Sequence, residues 1–250
     1  MQRFGLLGYP LSHSFSQKYF TEKFAELGLT DCVYENFSLA SIDEFSAVLN
    51  DKKDLRGFNI TIPYKKQVLT FLHESTEAVK AIGACNCVNI KDGIFTGYNT
   101  DVIGFEQSIS PFLQPHHRKA LVFGTGGASA AVVFVLKKLG IDVQYVSRTA
   151  SENAISYESV DGAMLSTHHL LVNTTPVGMY PNIEGSPAIP YQYLTAQHHL
   201  YDLVYNPAET KFLEKGRLQG ATTQNGYEML ILQAEESWRI WNSSSQQKFP

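Results

Sequence analysis

A short segment in the first third of the chain, GFNITIPYK at residues 57–65, carries polar side chains and an amine close together. Its alternating apolar residues predict a strand that ends at Pro63. Side chains two residues apart lie on the same face of a strand, so Asn59 and Thr61 are predicted to share a face just before Lys65. This arrangement could bind a small polar ligand. The alternative is a strand end followed by a solvated helix start.

A second segment, GTGGAS at residues 124–129, has the composition of a phosphate-binding turn. It follows the strand-like run ALVF and precedes the helical run AAVVFVLKKLG. Glycines allow a tight turn and a close approach of the backbone, and the N–H groups at a helix start favour negative charge. The pattern predicts a dinucleotide-binding turn, with a purely structural turn as the alternative.

Arg148 lies about 20 residues after these glycines, where an acidic residue would hold the ribose hydroxyls of NAD. The planar donor fork of an arginine suits the 2′-phosphate of NADP instead, and Ser147 and Thr149 could add hydroxyl contacts. The alternative is an exposed arginine at a strand end. The position favours NADP as the cofactor.

The composition limits the classes of partner. With 250 residues, 44% hydrophobic and 18% charged, the chain is typical of globular proteins of one large or two small domains. A formal net charge of −4, without a long basic cluster, argues against a nucleic-acid partner. We therefore expect a small-molecule ligand.

Cysteine usage and apolar runs predict the location. Cys85 and Cys87 lack a neighbouring histidine cluster, so no metal site is expected, and all three cysteines are predicted to be reduced in the cytoplasm. The longest apolar run, residues 130–136, is far shorter than the roughly 20 residues of a membrane helix. The start of the sequence lacks the basic and apolar regions of a signal peptide. The sequence thus predicts a soluble protein that is not exported.

Alternating strand and helix patterns must position these segments. Predicted strands cover residues 2–7, 32–37 and 57–62, with a hairpin around 91–93, and predicted helices cover 16–27, 41–49, 64–72 and 76–82. After the proline-marked stretch 110–119, strands are predicted at 120–123, 142–146, 170–173 and 200–204, and helices at 130–138 and 227–241. This order predicts an α/β fold with mostly parallel sheets.

Taken in order, these motifs resemble the shikimate dehydrogenase family along nearly the whole chain. They are SHSFS (12–16), GFNITIPYK (57–65), GACN (83–86), GYNTD (97–101), GTGGAS (124–129), SRT (147–149), NTTPVGM (173–179), DLVYNP (202–207) and NGYEMLILQ (225–233). The resemblance implies a substrate domain formed by residues 1–101 and 227–250 and a Rossmann-like NADP-binding domain formed by 102–226. It also implies reversible, NADP-dependent interconversion of shikimate and 3-dehydroshikimate.

The resemblance implies a set of substrate contacts. Hydroxyls of Ser14 and Ser16 would hold the carboxylate, although either serine could simply cap a helix. The remaining predicted substrate-binding residues are Asn59, Thr61, Asn86, Tyr205 and Gln233. His13, beside this cap, is predicted to be structural.

Lys65 and Asp101 are the predicted catalytic residues. Oxidation of a secondary alcohol releases a proton as the hydride leaves, so a side chain must accept that proton and return it on reduction. The alternative for such a pair is a surface salt bridge. Both residues lie within motifs of the resemblance, which favours catalysis.

The resemblance also implies the cofactor contacts. The predicted cofactor-binding residues are Gly124, Gly126, Gly127, Ala128, Ser147, Arg148, Thr149, Thr174, Val204, Gly226 and Met229. Met229 ranks lower, because a methionine on an amphipathic helix more often packs in the core.

Two features depart from the family pattern. Ser147 stands where the family usually has asparagine, and Glu152 stands where it usually has a second basic residue. A carboxylate there should weaken the preference for NADP, so NAD is a possible cofactor. The stretch 150–169 is short for the usual crossover, which predicts an abbreviated cofactor domain that lacks a helix.

The sequence is also compatible with two other functions. One is a quinate or dual quinate/shikimate dehydrogenase that uses NAD, and the other is a non-catalytic sensor that binds shikimate. The sequence is compatible with a monomer or a homodimer, and it indicates no membrane partner.

Overall fold

The computed structural model describes residues 1–11 and 14–243. Its contacts divide the chain into two compact units, one comprising Met1–Thr100 and the chain from Ala234, the other Asp101–Gln233. The predicted boundaries lie after residues 101 and 226, and they remain predictions of the functional domains. Each unit contains its own six-stranded sheet.

Strands and helices alternate through most of the chain. The strands are β1 (Gln2–Gly8), β2 (Cys32–Ser38), β3 (Leu55–Ile60), β4 (Glu74–Ser75), β5 (Cys87–Lys91), β6 (Ile94–Tyr98), β7 (Lys119–Phe123), β8 (Asp142–Ser147), β9 (Ala154–Ser156), β10 (Leu170–Asn173), β11 (His199–Asp202) and β12 (Thr222–Gln224). The α-helices are α1 (Phe15–Glu26), α2 (Phe45–Asp51), α3 (Glu77–Ile82), α4 (Thr100–Ile109), α5 (Gly127–Lys138), α6 (Gly162–Leu165), α7 (Lys211–Leu218) and α8 (Tyr227–Asn242). No helix within the described ranges has the length and apolar character that crossing a membrane requires.

The sheet of the first unit has the order β2-β1-β3-β5-β6-β4. Strand β1 pairs in parallel with β2 and β3, whereas β5 runs antiparallel to both β3 and β6. The β5–β6 connection is the predicted hairpin. Its central residues Asp92 and Gly93 have φ angles of 50° and 78°, and positive φ at both positions is what a type I′ turn requires.

Aromatic side chains join α1 and α8 to this sheet. The ring centroid of Phe4 lies 6.0 Å from that of Phe24 and 4.9 Å from that of Trp241. The indole N–H of Trp241 donates to the Val88 carbonyl at 3.0 Å. A Cβ at Gly57 would lie 2.3 Å from that indole nitrogen, so glycine at this position allows α8 to approach β3 closely.

The sheet of the second unit is entirely parallel, in the order β12-β11-β10-β7-β8-β9. Helices α5 and α7 pack on its strands. The chain passes from β8 to β9 through residues 148–153, and no helix forms in this described connection. Parallel neighbours are usually joined by a dozen or more residues, most often with a helix. The predicted abbreviation of this domain is therefore present.

The structure corrects several predicted elements. Strand β3 ends at Ile60, so Thr61 lies just beyond it, and residues 64–72 form a turn and a 3₁₀ helix (Gln67–Phe71) instead of a continuous α-helix. Pro63 explains the early end, because proline has no N–H with which to extend strand pairing. Helices α4 and α7 and strands β9 and β12 have no counterpart in the predicted elements.

Candidate active site

The N-terminus of α1 carries the first two predicted substrate residues. Ser14 is the N-cap, and its hydroxyl accepts from the Gln17 N–H at 3.2 Å. Burial raises the pKa of the Tyr34 phenol, and the neighbouring Ser16 side chain acts in the opposite direction. Both serines are half-buried. The capping role of Ser14 is therefore present, and the predicted carboxylate contact remains a prediction that the helix N-terminus favours.

Asn59 lies in a fully packed polar environment. The side chain is 5% exposed. Its Oδ1 accepts from the Tyr34 hydroxyl at 2.9 Å, and its Nδ2 donates to Ser237 Oγ at 2.8 Å and to the Asn86 carbonyl at 3.3 Å. Because both amide hydrogens have protein acceptors, the geometry favours a positioning role for Asn59. Its direct contact with substrate remains a prediction.

Thr61 is half-buried at the end of β3. Its N–H donates to the Leu7 carbonyl at 2.9 Å, so pairing with β1 continues for one residue past the strand. A Cβ at Gly8 would lie 2.4 Å from the Thr61 methyl group. Glycine at position 8 thus makes room for the Thr61 side chain.

Asn86 organises the start of α4. Its Oδ1 accepts from the Thr100 N–H at 2.7 Å, and its Nδ2 donates to Thr100 Oγ1 at 3.1 Å. Asn86 thus caps the start of this helix from another part of the chain. Asp101 follows in the first turn of α4, where a carboxylate is stabilised by the helix dipole. The buried amide of Asn86 therefore sets where the backbone of Asp101 begins.

Lys65 lies near the same segment of the first unit. Its carbonyl accepts from the Cys85 N–H at 2.8 Å, and Cys85 directly precedes Asn86. Burial raises the pKa of the Cys85 thiol to about 12, partly offset by backbone hydrogen bonds and by the positive charge of Lys65. The Lys65 ammonium therefore acts electrostatically on the segment that holds Asn86.

The glycine turn of the second unit divides into two parts. Gly124 has a φ of 100°, and a Cβ there would lie 2.8 Å from Thr175 Cγ2 and 2.9 Å from Thr174 Oγ1. At Gly126 and Gly127, no heavy atom of the described chain lies within 4 Å of the position that a Cβ would take. Gly124 is thus required by the fold, whereas the other two glycines leave open space.

Helix α5 begins at this open space. Its N-cap is Gly126, and its first turn contains the small residues Gly127, Ala128 and Ser129. The Ser129 hydroxyl donates to the Gly126 carbonyl at 2.6 Å, which keeps it off the first N–H groups. A helix start with accessible N–H groups fits a pyrophosphate. The residues present therefore fit a dinucleotide.

The end of β8 lies beside this turn. The Gly124 N–H donates to the Val146 carbonyl at 2.8 Å. The Ser147 hydroxyl donates to the Thr149 carbonyl. Arg148 is exposed, and its charge partly offsets the burial that raises the pKa of Tyr157. An exposed guanidinium at this strand end fits the predicted 2′-phosphate site.

The ends of β10 and β11 complete this edge of the second sheet. The Thr174 hydroxyl donates to the Phe123 carbonyl at 2.6 Å. Val204 is buried, and its N–H donates to Asp202 Oδ1 at 3.0 Å. Asp202 also accepts from Asn173 at 2.9 Å and from Thr210 at 2.6 Å. Burial raises the pKa of Asp202 to about 6, although these hydrogen bonds act in the opposite direction.

Asp202 holds neighbouring residues in position, but the sequence analysis did not predict it as a site residue. It was noted only as the first residue of the DLVYNP motif. A carboxylate at the end of a buried strand, followed by a threonine eight positions later, was the available signal.

Tyr205 and Gly226 lie in loops of the second unit. Tyr205 is 40% exposed, and its ring centroid lies 6.5 Å from that of Tyr227. A Cβ at Gly226 would lie 2.2 Å from the Leu203 carbonyl oxygen. The absence of a side chain at Gly226 is thus a packing requirement, and its cofactor contact remains a prediction.

Met229 and Gln233 lie on α8. Met229 is 8% exposed. A Cβ at Gly104 would lie 2.7 Å from the carbonyl oxygen of Met229. Gln233 is half-buried, and its amide donates to the Leu230 carbonyl at 2.8 Å. Met229 therefore packs in the interior, whereas the Gln233 side chain is partly exposed to solvent. The cofactor contact of Met229 and the substrate contact of Gln233 remain predictions.

Two further observations concern residues outside these sets. His13 lies outside the described residues. Among residues 1–11 and 14–243, no group of three or more histidine, cysteine, aspartate or glutamate side chains could hold a metal ion.

Comparison with known proteins places this arrangement in context. Residues 6–88 match the family model for the shikimate dehydrogenase substrate binding domain. A shikimate dehydrogenase (NADP(+)) from Methanosphaera stadtmanae is 32% identical over 260 residues, covering 96% of this chain and 91% of that protein.

Two solved structures show the same fold. A shikimate 5-dehydrogenase from Thermus thermophilus in complex with NADP(H) and shikimate has a TM-score of 0.84 and 31% identity, over 97% of this chain and 94% of the other. A quinate dehydrogenase from Corynebacterium glutamicum in complex with NAD has a TM-score of 0.86 and 28% identity, over 96% and 93%.

Proposed function

The chain belongs to the shikimate dehydrogenase family, and we propose that it catalyses the reversible, NADP-dependent reduction of 3-dehydroshikimate to shikimate. The observation that carries the proposal is the cap of α4. The buried Asn86 Oδ1 accepts at 2.7 Å from the N–H of Thr100, the first residue of that helix, and Thr100 directly precedes Asp101 in the sequence. Such a built polar arrangement is costly in a protein interior unless every group is bonded.

The proposed substrate contacts are mostly polar groups of the first unit. Ser14 and Ser16 would bind the carboxylate at the N-terminus of α1, where the helix dipole favours negative charge. Thr61, Asn86, Tyr205 and Gln233 would contribute hydroxyl and amide groups to the remaining polar atoms of the ring. Asn59 would act through the residues that it holds. A polyol needs such a set of donors and acceptors because each buried hydroxyl must be bonded.

We assign the proton transfer to Lys65 and Asp101. During reduction, Lys65 Nζ donates a proton to the oxygen that becomes the new hydroxyl, and during oxidation it takes that proton back. The Asp101 carboxylate orients the same hydroxyl. The nicotinamide cofactor, when bound, supplies or accepts the hydride.

The proposed cofactor contacts lie at the carboxyl edge of the parallel sheet. The N–H groups of Gly126, Gly127 and Ala128 would bind the pyrophosphate. Arg148 would pair with the 2′-phosphate, flanked by Ser147 and Thr149. The loops that carry Thr174, Val204 and Gly226 would line the remainder.

A dehydrogenase that also accepts quinate and NAD is a second candidate. It is favoured by the likeness to the quinate dehydrogenase and by Glu152, an exposed carboxylate in the connection after Arg148. A four-way assay of shikimate and quinate with NADP and NAD separates the candidates. We expect the highest kcat/KM for shikimate with NADP, and equal or higher activity on quinate would overturn this choice. Binding of shikimate without any turnover would instead support a sensor.

We also propose a cytoplasmic location. Cys32, Cys85 and Cys87 are free, and the last two are buried, which suits a reducing compartment. The oligomeric state, monomer or homodimer, remains a prediction that light scattering at several protein concentrations would decide.

A further inference from the structure

Ser237 is a buried polar residue of α8 to which the proposed function assigns no role. Its side chain has no exposed surface. Its hydroxyl accepts from Asn59 Nδ2 at 2.8 Å and lies 3.4 Å from Thr100 Oγ1. Burial raises the pKa of the Cys87 thiol on β5, and Ser237 acts in the opposite direction. One small hydroxyl on α8 thus connects β3 and α4.

These bonds form part of a longer series. In order, the bonded groups belong to Tyr34, Asn59, Ser237, Thr100 and Asn86. These side chains are nearly or fully buried. The series ends at Asn86, which is proposed to bind shikimate, and its member Thr100 directly precedes Asp101. Ser237 stands at the point where the two halves of the series meet.

Loss of the Ser237 hydroxyl would act on both halves. The Asn59 amide would keep one acceptor, the Asn86 carbonyl at the longer distance of 3.3 Å. A buried N–H without an acceptor is costly, so the Asn59 side chain would move or take up water. The Thr100 hydroxyl, which also accepts from the Asn86 amide at 3.1 Å, would lose its neighbour on α8.

We propose that Ser237 is a positioning residue for shikimate, an inference that rests on the proposed function. Its hydroxyl holds the Asn59 amide and the Thr100 hydroxyl in place. Through them it fixes the Asn86 amide and the first turn of α4, which present the polar groups that meet the ring. Because the groups bonded to Ser237 belong to Asn59 and Thr100, next to the predicted substrate contacts, its effect is expected to fall on the carbocyclic substrate.

The test compares Ser237→Ala with Ser108→Ala. Ser108 is also fully buried on a helix, and its hydroxyl lies 2.7 Å from that of Tyr201, so both variants remove one buried hydroxyl. We expect Ser237→Ala to raise the KM and the calorimetric Kd for shikimate about tenfold, the loss that one buried hydrogen bond produces, with KM for NADP changed less than about twofold. Ser108→Ala should leave all three constants within about twofold of wild type.

Rescue distinguishes positioning from general packing. Ser237→Thr keeps the hydroxyl and should restore most of the shikimate affinity. Should Ser237→Ala fail to fold by circular dichroism, Tyr34→Phe removes the phenol that donates to Asn59 Oδ1 without adding volume. It should raise the KM for shikimate several-fold in the same selective way.

Four outcomes would contradict the proposal. Equal constants in Ser237→Ala and Ser108→Ala, or equal losses for shikimate and NADP, overturn the proposal for Ser237. For an unfolded Ser237→Ala, an unchanged shikimate KM in Tyr34→Phe overturns it as well. Wild-type protein that neither binds nor turns over shikimate overturns the proposed function itself, and with it the role of Ser237.

Discussion

Alanine substitutions at Gly124 and Gly126 should affect different properties, although both glycines belong to one turn. The first should lower stability, and the second should lower the affinity for NADP. Gly124 has a φ of 100°, a region that costs an L-residue roughly 1–2 kcal/mol. Its new Cβ would also lie 2.8 Å from Thr175 Cγ2, and overpacking of this kind costs roughly 1–3 kcal/mol. We therefore expect Gly124→Ala to lower the free energy of unfolding by roughly 2–5 kcal/mol.

Gly126 presents a different environment. Its φ of −79° and ψ of −175° are accessible to alanine, and its Cβ would project into open space. The free energy of unfolding should change by less than about 1 kcal/mol, because lost capping preference and reduced unfolded-state entropy nearly cancel. The added methyl group would, however, occupy the space through which a phosphate reaches the backbone N–H groups. Loss of one such charged hydrogen bond is worth roughly 1.5–3 kcal/mol, or about tenfold to hundredfold in the Kd for NADP.

Urea denaturation and calorimetric titration with NADP measure the two quantities on the same preparations. Wild-type protein and Gly140→Ala serve as controls, since Gly140 also has a positive φ of 73° but follows α5 at its other end. The reasoning would be refuted by a Gly126→Ala variant that is as unstable as Gly124→Ala. It would equally be refuted by a stable Gly126→Ala variant with wild-type affinity for NADP.

Three further predictions concern catalysis, cofactor choice and pH. Lys65→Ala should lower kcat by about 10²–10⁴ with little change in KM for shikimate, measured by NADPH absorbance, and an unchanged kcat would remove Lys65 from proton transfer. Glu152→Gln should tighten NADP binding about threefold at low salt and leave NAD binding unchanged, with Glu158→Gln as the matched exposed control. An unchanged Kd for NADP would show that the charge of Glu152 does not act on the 2′-phosphate. Burial, together with the charge of His117, lowers the pKa of His199 from 6.5 to about 4. His199 therefore binds a proton more readily in the unfolded chain than in the folded one. Its contribution to stability is fully present above pH 6.5 and is lost as the pH falls towards 4. The wild-type free energy of unfolding should fall by about 3 kcal/mol more than that of His199→Gln between pH 7 and pH 4, and parallel curves in urea titrations would contradict this.

Local patterns predicted the elements that carry recognisable turns. The Asp92-Gly93 pair predicted the hairpin because few residue pairs adopt positive φ at both central positions. The glycines at 124–127 predicted the start of α5 because a strand and a helix flank them. The short stretch 150–169 predicted the missing crossover helix, since chain length alone limits what can form there.

Other features depend on contacts that no local pattern encodes. The first N–H of helix α4 donates to Asn86, which lies 14 residues earlier in the sequence. The end of β3 at Ile60 is set by Pro63 and by the pairing available on β1. Asn59 was predicted from the strand pattern and the family resemblance, yet its buried partners Tyr34 and Ser237 lie 25 and 178 residues away in the sequence. Spacing rules cannot reach such distances.

The two units differ in the groups that we propose to recognise ligands: side-chain amides and hydroxyls in the first unit, and backbone N–H groups in the second. In the first, side-chain amides and hydroxyls are bonded to one another within a buried series, so the free energy of desolvating them is offset during folding and not at binding. In the second, Gly126 and Gly127 have open space at the positions of a Cβ, so a phosphate bound there, as we propose, would itself complete the bonds of the backbone N–H groups. Substitutions in the first unit should therefore alter discrimination among cyclic polyols, whereas substitutions in the glycine turn should weaken all dinucleotides alike. We expect the separation of NADP from NAD to depend on the residues around the end of β8, namely Arg148, its neighbours Ser147 and Thr149, and Glu152.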